Sequence, residues 1–180
     1  MTDDTRSNSG MDQARMMEVY RKLGTPGKPH ELLAEMTGSW HTVTRHFMTP
    51  GQPPVESEGS CEQTMVLGGR YLQQEFHGDM MGTPFTGIGI TGFDNQSQHY
   101  VSTWIDSMST RIFYFEGTAD AGGRTITQHC RTEDPIKGPM TWRSVTRIVD
   151  RDTHEFEMYG TYASGGGEEK MMAIRYTRKK

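Results

Sequence analysis

From residue 40 onward the chain leaves no room for anything but antiparallel strand pairing. Segments with period-two alternation, rich in Thr, Val, Ile, Tyr and Phe, read as strands over residues 40–47, 56–66, 71–80, 85–92, 100–107, 111–118, 125–131, 141–149, 155–162 and 170–177. The punctuation between them is turn chemistry: Gly68-Gly69, Gly82-Thr83-Pro84, Asp94-Asn95, residues 120–123, Lys137-Gly138-Pro139, Asp150-Arg151-Asp152 and Gly165-Gly166-Gly167. A parallel pair needs a crossover of roughly a dozen residues, and none of these gaps supplies one. Consecutive strands must therefore pair as a meander. A meander of about ten strands keeps an open edge unless the sheet closes on itself. The expected fold is mainly β: an antiparallel up-and-down barrel of about ten strands, of a size that holds one small ligand. A two-sheet sandwich is the rival.

The front of the chain follows another period. Met16, Val19, Tyr20 and Leu23 recur at helical spacing, with Asp12, Arg15, Glu18 and Lys22 mostly on the other side. Gly24-Thr25-Pro26-Gly27 ends that helix. A second short helix starts at Pro29, a good first-turn residue, carries Leu32, Leu33 and Met36, and stops at Gly38. The expected organisation is a disordered tail over residues 1–10, a helical segment over 11–37 and a barrel over 38–180, all one domain.

Composition narrows the function classes. With 180 residues the chain can bury a core without staples. Hydrophobic residues make up only 33%, which suits strands that show one face to water. A net charge of −4 argues against a nucleic-acid partner. The one basic run, Arg175, Arg178, Lys179 and Lys180, reads as a solvated chain end. The first ten residues lack the apolar stretch of a secretory signal, and no run is long enough for a membrane helix, so a soluble, cytoplasmic protein with no membrane partner is expected. Cys61 and Cys130 fit free thiols better than a disulfide framework, although a barrel could bring them together.

At Gly38-Ser39-Trp40 a known pattern appears. A helical lead-in followed by Gly-x-Trp at the first strand resembles the calycin superfamily of lipocalins and fatty-acid-binding proteins. Longer stretches resemble one bacterial family of that type, a domain of unknown function numbered 1579. They are Gly27-Lys28-Pro29-His30-Glu31-Leu32-Leu33, Gly69-Arg70-Tyr71-Leu72-Gln73-Gln74-Glu75-Phe76, the run from Phe85 to Asp94, the run from Tyr100 to Ser107, and Ile174-Arg175-Tyr176-Thr177-Arg178. The resemblance implies the barrel and transfers no catalytic residue. The related haem-binding barrels, the nitrobindins, open with Gly-Thr-Trp and alternating glycines. Here Trp40 is followed by His41-Thr42-Val43-Thr44, so the resemblance carries no haem expectation, and no cofactor is expected.

Alternation decides which side chains share a face, but not which face looks inward. Tyr71, Gln73, Glu75 and His77 lie opposite Leu72, Gln74 and Phe76. Tyr100, Ser102, Trp104 and Asp106 lie opposite Val101, Thr103 and Ile105. One reading makes Gln73, Glu75 and His77 a polar wall of the cavity, with Glu75 and His77 as an acid/base pair; the bland reading makes them an exposed strand face. Trp104 offers a flat wall and one donor, and Asp106 beside it needs a partner if buried, which Arg143 or Arg175 would supply. A metal would require His77, His129 and Glu75 to meet across the barrel, and no metal site is expected. Gly87, Gly89 and Gly92 match a dinucleotide spacing, but no helix follows, so they read as bending or close-approach positions. The 14 methionines suit core packing or an adaptable binding surface.

Three uses of the barrel follow. The first is binding of a small, mostly apolar molecule with a polar end, with Gln73, Glu75, His77, Trp104, Asp106, Arg143 and Arg175 as ligand-binding candidates. The second is an enzyme using Glu75, His77 or Asp106 for proton transfer in the same cavity. The third is a solidly packed barrel acting through its surface as a homodimer.

Overall fold

The computed structural model describes residues 5–49 and 51–180. Helices α1 (Thr5–Leu23) and α2 (Lys28–Ala34) precede ten strands. These are β1 (Gly38–His46), β2 (Val55–Val66), β3 (Tyr71–Met80), β4 (Thr83–Asp94), β5 (His99–Asp106), β6 (Phe113–Ala119), β7 (Thr125–Asp134), β8 (Gly138–Asp150), β9 (Thr153–Tyr162) and β10 (Glu169–Arg178). All pair antiparallel with their sequence neighbours, and β1 also pairs with β10, so the sheet is a closed barrel and the sandwich is excluded. Closure leaves no strand edge. Arg111 and Ile112, expected in a strand, belong to the β5–β6 connection. The tail expected over residues 1–10 is helical from Thr5; residues 1–4 lie outside the described residues. Among the described residues, no helix is long and apolar enough to cross a membrane.

A meander alternates its turns between the two ends. The connections after β2, β4, β6 and β8 lie at the end where β1 begins; those after β1, β3, β5, β7 and β9 lie at the other. Helix α2 closes the first end. Pro29 fits its first turn, and the Gly27 N–H donates to His30 Nδ1 at 3.0 Å. Leu33 and Met36 then pack with Leu72, Tyr100, Ile126 and Ile148.

Gly38 and Arg178 lock that closure. The indole N–H of Trp40 donates to the Met36 carbonyl at 2.9 Å. The Arg178 guanidinium lies 4.1 Å from the Trp40 ring centroid and donates to the carbonyls of Thr37, Glu35 and Arg151. Gly38 has φ +128°, which calls for glycine, and a Cβ there would push the Arg178 guanidinium from its place. The Gly-x-Trp signature is thus half of a joint whose other half is on the last strand.

Helix α1 covers the segment that its spacing marks, but little of it packs on the barrel. Along the stripe Met16, Val19, Tyr20 and Leu23, the first three stay exposed and only Leu23 is half-buried. The helix is tied down at its C-terminal end, where the Asn95 amide donates to the carbonyls of Leu23 and Thr25.

Candidate functional site: the barrel lumen

Pairing register identifies the inward face, since directly opposed residues share a side. Trp40 faces Cys61, Cys61 faces Phe76, Phe76 faces Gly87 and Gly87 faces Asp106. Trp104 faces Phe113, Cys130 faces Trp142 and Trp142 faces Gly160. Burial agrees: along β3, Leu72 and Phe76 are buried while Tyr71, Glu75 and His77 are exposed.

This placement divides the expected site. Trp104 and Asp106 face the lumen, and the indole N–H donates to Asp106 Oδ2 at 2.9 Å. The other carboxylate oxygen accepts the Met108 N–H at 3.0 Å. Both oxygens are occupied without an arginine. Arg143 lies on the outer wall with its guanidinium forked onto Glu168 at 2.7 and 2.6 Å, and Arg175 reaches Glu155 at 2.8 Å, also outside. The expected Asp106–arginine pairing is therefore corrected. So is the polar wall: Gln73, Glu75 and His77 face outward, where the Gln73 amide donates to Glu75 at 2.9 Å. Leu72 and Phe76 take the inward positions because burying them removes apolar surface from water. His129 is exposed as well, so His77, His129 and Glu75 do not converge across the lumen. Cys61 and Cys130 are free, on opposite walls of the ring of ten strands. Burial pushes the Cys61 thiol up to about 12, which makes it a poor nucleophile.

The lumen holds a polar cluster that sequence reasoning missed. Gln63 donates to Gln74 Oε1 at 3.1 Å and lies 3.5 Å from His154 Nε2. Gln74 reaches the Tyr176 hydroxyl at 3.4 Å. The His154 ring stacks on Tyr176 with centroids 4.1 Å apart and meets Trp40 edge-on at 4.4 Å. On the opposite side Ser102 donates to Gln128 Oε1 at 2.9 Å and pairs with Thr91 Oγ1 at 3.0 Å. Burial, helped by the positive Arg178, holds His154 down to about 3, and burial raises the Tyr176 phenol well above its ordinary range. Both are neutral at neutral pH. Buried side-chain atoms without a partner in the protein include Thr42 Oγ1, Gln63 Oε1, His154 Nδ1 and Trp142 Nε1.

Toward the end away from α2 the wall becomes aromatic and sulfur-rich. Phe85 stacks near Trp104, and Trp142 lies against Phe113 and Phe115. Met158 and Met172 face inward there, and Met140 and Met171 flank Gly160. Phe85, Trp104, Phe113, Trp142, Met158 and Met172 are only half-buried, in contrast to the sealed residues under α2. The glycines of β4 explain the Trp104 pose: a Cβ at Gly87 would overlap its ring, and one at Gly89 would lie 3.2 Å from it. Their absent side chains let the indole lie flat against the wall. Two shallow surface grooves lie elsewhere, along α1.

Comparison with solved structures supports the fold. The chain is similar to Rv2717c from M. tuberculosis at 15% identity, covering 87% of this chain and 100% of that chain with a TM-score of 0.64. It is also similar to the S-type phycobiliprotein lyase CPES from Guillardia theta at 11% identity, covering 83% and 92% with a TM-score of 0.57. No curated protein matches. A family model described as "Protein of unknown function (DUF1579)" matches residues 25–178, so the chain belongs to that family.

Proposed function

We propose that the barrel binds a small, mostly apolar molecule with a polar end, which enters at the end opposite α2. The observation that carries this reading is the set of unpartnered polar atoms within the buried polar cluster of the lumen, which gives way to an aromatic wall toward the open end. Thr42 Oγ1, Gln63 Oε1 and His154 Nδ1 are buried without a partner in the protein, and such groups call for one from outside the chain. They offer neutral donors and acceptors to a polar end, while Phe85, Trp104, Phe113 and Trp142 offer flat apolar walls. Met140, Met158, Met171 and Met172 occupy the space between, and methionine repacks around a guest more readily than branched side chains.

Acid/base catalysis has less support. Glu75 and His77 are outside, both Asp106 oxygens are occupied, and His154 is neutral and a weak base. The phycobiliprotein lyase shares the architecture, and at 11% identity that likeness extends to the fold alone.

A second reading, the packed barrel acting as a homodimer, draws on the outer wall. Ile88 and Ile105 are opposed there and 44% and 43% exposed, next to Ile90 and Tyr114. Native mass spectrometry of the purified protein, with denaturing extraction of anything bound, separates the two. Lumen binding predicts a co-purifying small molecule, or one-to-one binding of an apolar fluorophore that Gly160→Trp abolishes in a folded protein. An empty lumen that rejects such probes, together with a dimer mass lost in Ile88→Lys, would establish the second reading instead.

A further inference from the structure

The two ends of the barrel differ in what their turns display. At the α2 end the strand turns display Leu67, Tyr71 and Val149, and the other exposed large apolar residues there belong to the helix α1 rather than to a turn. At the open end, Met48, Met81, Met108, Ile112 and Ile136, from four different connections, and Val55 at the start of β2 are 49–92% exposed. Three are held out by the same device. The Asp79 carboxylate accepts the Gly82 N–H at 2.6 Å beside Met81. Asp106 accepts the Met108 N–H. Asp134 accepts the N–H groups of Ile136 and Lys137, both at 2.8 Å. Each aspartate precedes its apolar tip by two residues and fixes the turn that presents it. Exposing six such side chains around one opening has a cost in water that a monomer gains nothing by accepting.

Charge says what would cover them. Arg111, Arg131 and Lys137 sit among Met108, Ile112 and Ile136, and among the described residues none of the three forms an ion pair. Arg111 donates only to Thr132 Oγ1 and the Glu133 carbonyl, and Lys137 lies over the Tyr162 ring at 4.7 Å. The acids of this sector are Asp106 and Asp134, whose carboxylates are turned onto backbone N–H groups with the Lys137 charge also acting on Asp134, and the exposed Glu133; at the neighbouring β9–β10 end Glu168 is forked by Arg143 and Glu169 is exposed. Apolar tips interleaved with cations that close no ion pair match a phospholipid surface, whose acyl boundary takes the tips and whose phosphates take the cations. A second copy fits poorly: a two-fold rim-to-rim contact sets these cations against each other. A protein partner would need a continuous surface, and these tips project singly from separate turns.

We infer that the open rim docks on a phospholipid bilayer, with Met108, Ile112 and Ile136 entering the headgroup boundary and Arg111, Arg131 and Lys137 meeting lipid phosphates. The rim then faces the phase in which an apolar guest dissolves. This goes beyond the lumen reading and stands without it, because docking needs no occupied lumen. It also departs from the expectation of no membrane partner.

Flotation of the full chain with phosphatidylcholine vesicles, with and without phosphatidylserine, is the test. The wild type floats. Met108→Ser/Ile112→Ser/Ile136→Ser loses on the order of tenfold in partition per tip removed. Leu67→Ser/Val149→Ser, at the other end, floats as the wild type does. Arg111→Gln/Lys137→Gln weakens flotation and flattens its salt dependence. Circular dichroism establishes that each variant is folded. A wild type that stays with neither vesicle, or a triple variant that floats equally well, overturns the inference. A dimer abolished by the triple variant without flotation overturns it in favour of a second copy. Probe binding to the lumen, measured without vesicles, fails or succeeds separately.

Discussion

Moving from pH 7 to pH 5 probes how firmly the barrel holds the imidazole of His154. In an unfolded chain that ring titrates near 6.5; in the barrel, burial and Arg178 bring it down to about 3. A depressed folded value means that the unfolded state takes up the proton first. The stability that the neutral ring contributes is therefore complete above 6.5 and is lost progressively as the pH falls toward 3. Across the whole window the gap corresponds to roughly 5 kcal/mol, and by pH 5 about 2 kcal/mol of it is gone. For a chain of this size that lowers Tm by roughly 4–8 °C.

The comparison that isolates the effect is His154→Gln. Glutamine loses the stack on Tyr176 and lowers stability at pH 7, but it has nothing to titrate. Other groups change alike in both proteins and cancel in the difference. Glu157 does not intrude. Burial tends to raise it, but its contacts with Lys170, Arg147 and Tyr159 win and hold it down to about 2. Its share of stability is present above 4.5 and is lost only as the pH falls toward 2. Urea unfolding of both proteins at pH 7 and 5 is the assay. The gap in unfolding free energy should shrink by about 2 kcal/mol on acidification. Parallel pH dependence in the two proteins would show that the ring is protonated in the native barrel, and the account of the lumen as a neutral site would fail.

Three further outcomes follow from the same contacts. Arg178→Ala removes three donor contacts to carbonyls and the cover over Trp40, and should cost roughly 3 kcal/mol in urea unfolding, with Arg178→Lys recovering only part. Gly87→Ala drives a methyl group into the Trp104 ring and should cost about 1–3 kcal/mol while shifting the tryptophan emission; an unchanged spectrum and Tm would mean that the flat pose does not hold. Cys61, with its thiol pushed up to about 12, should resist an aromatic disulfide reagent at pH 8 until denaturant is added, and fast labelling of the native protein would refute the sealed wall.

The barrel was legible because turn length is a local property. Gly68-Gly69 or Asp94-Asn95 between two alternating segments leaves no choice of connection, and nine such steps favour closure, with the sandwich excluded only by the pairing of β1 with β10. The inward face was harder, for a different reason on each strand. On β5, Val101, Thr103 and Ile105 are as apolar as Tyr100, Ser102 and Trp104, and the larger aromatics went inside. On β3 the contrast of Leu72 and Phe76 with Glu75 and His77 was strong enough to decide the matter. Of the two readings of Gln73, Glu75 and His77, polar cavity wall or exposed strand face, that contrast supports the second. The α1 spacing marked a helix correctly but carried no information on its placement, and its apolar stripe meets no barrel face.

The polar cluster of the lumen was out of reach because it is made by closure alone. Gln63, His154 and Tyr176 stand on β2, β9 and β10, and β9 and β10 reach β2 only through β1, the strand that seals the ring. No local spacing encodes that meeting. One indirect signal was present: each occupies a position whose alternate neighbours are apolar, Cys61 and Met65 around Gln63, Phe156 two residues after His154, and Ile174 two before Tyr176. A polar residue in an apolar row is either an error of folding or the place where something polar is met. Read that way, these interruptions on separate strands are a better guide to a barrel's site than any polar run along a single strand. Polar residues that follow one another on one face, as Gln73, Glu75 and His77 do, more economically describe the wall that faces water.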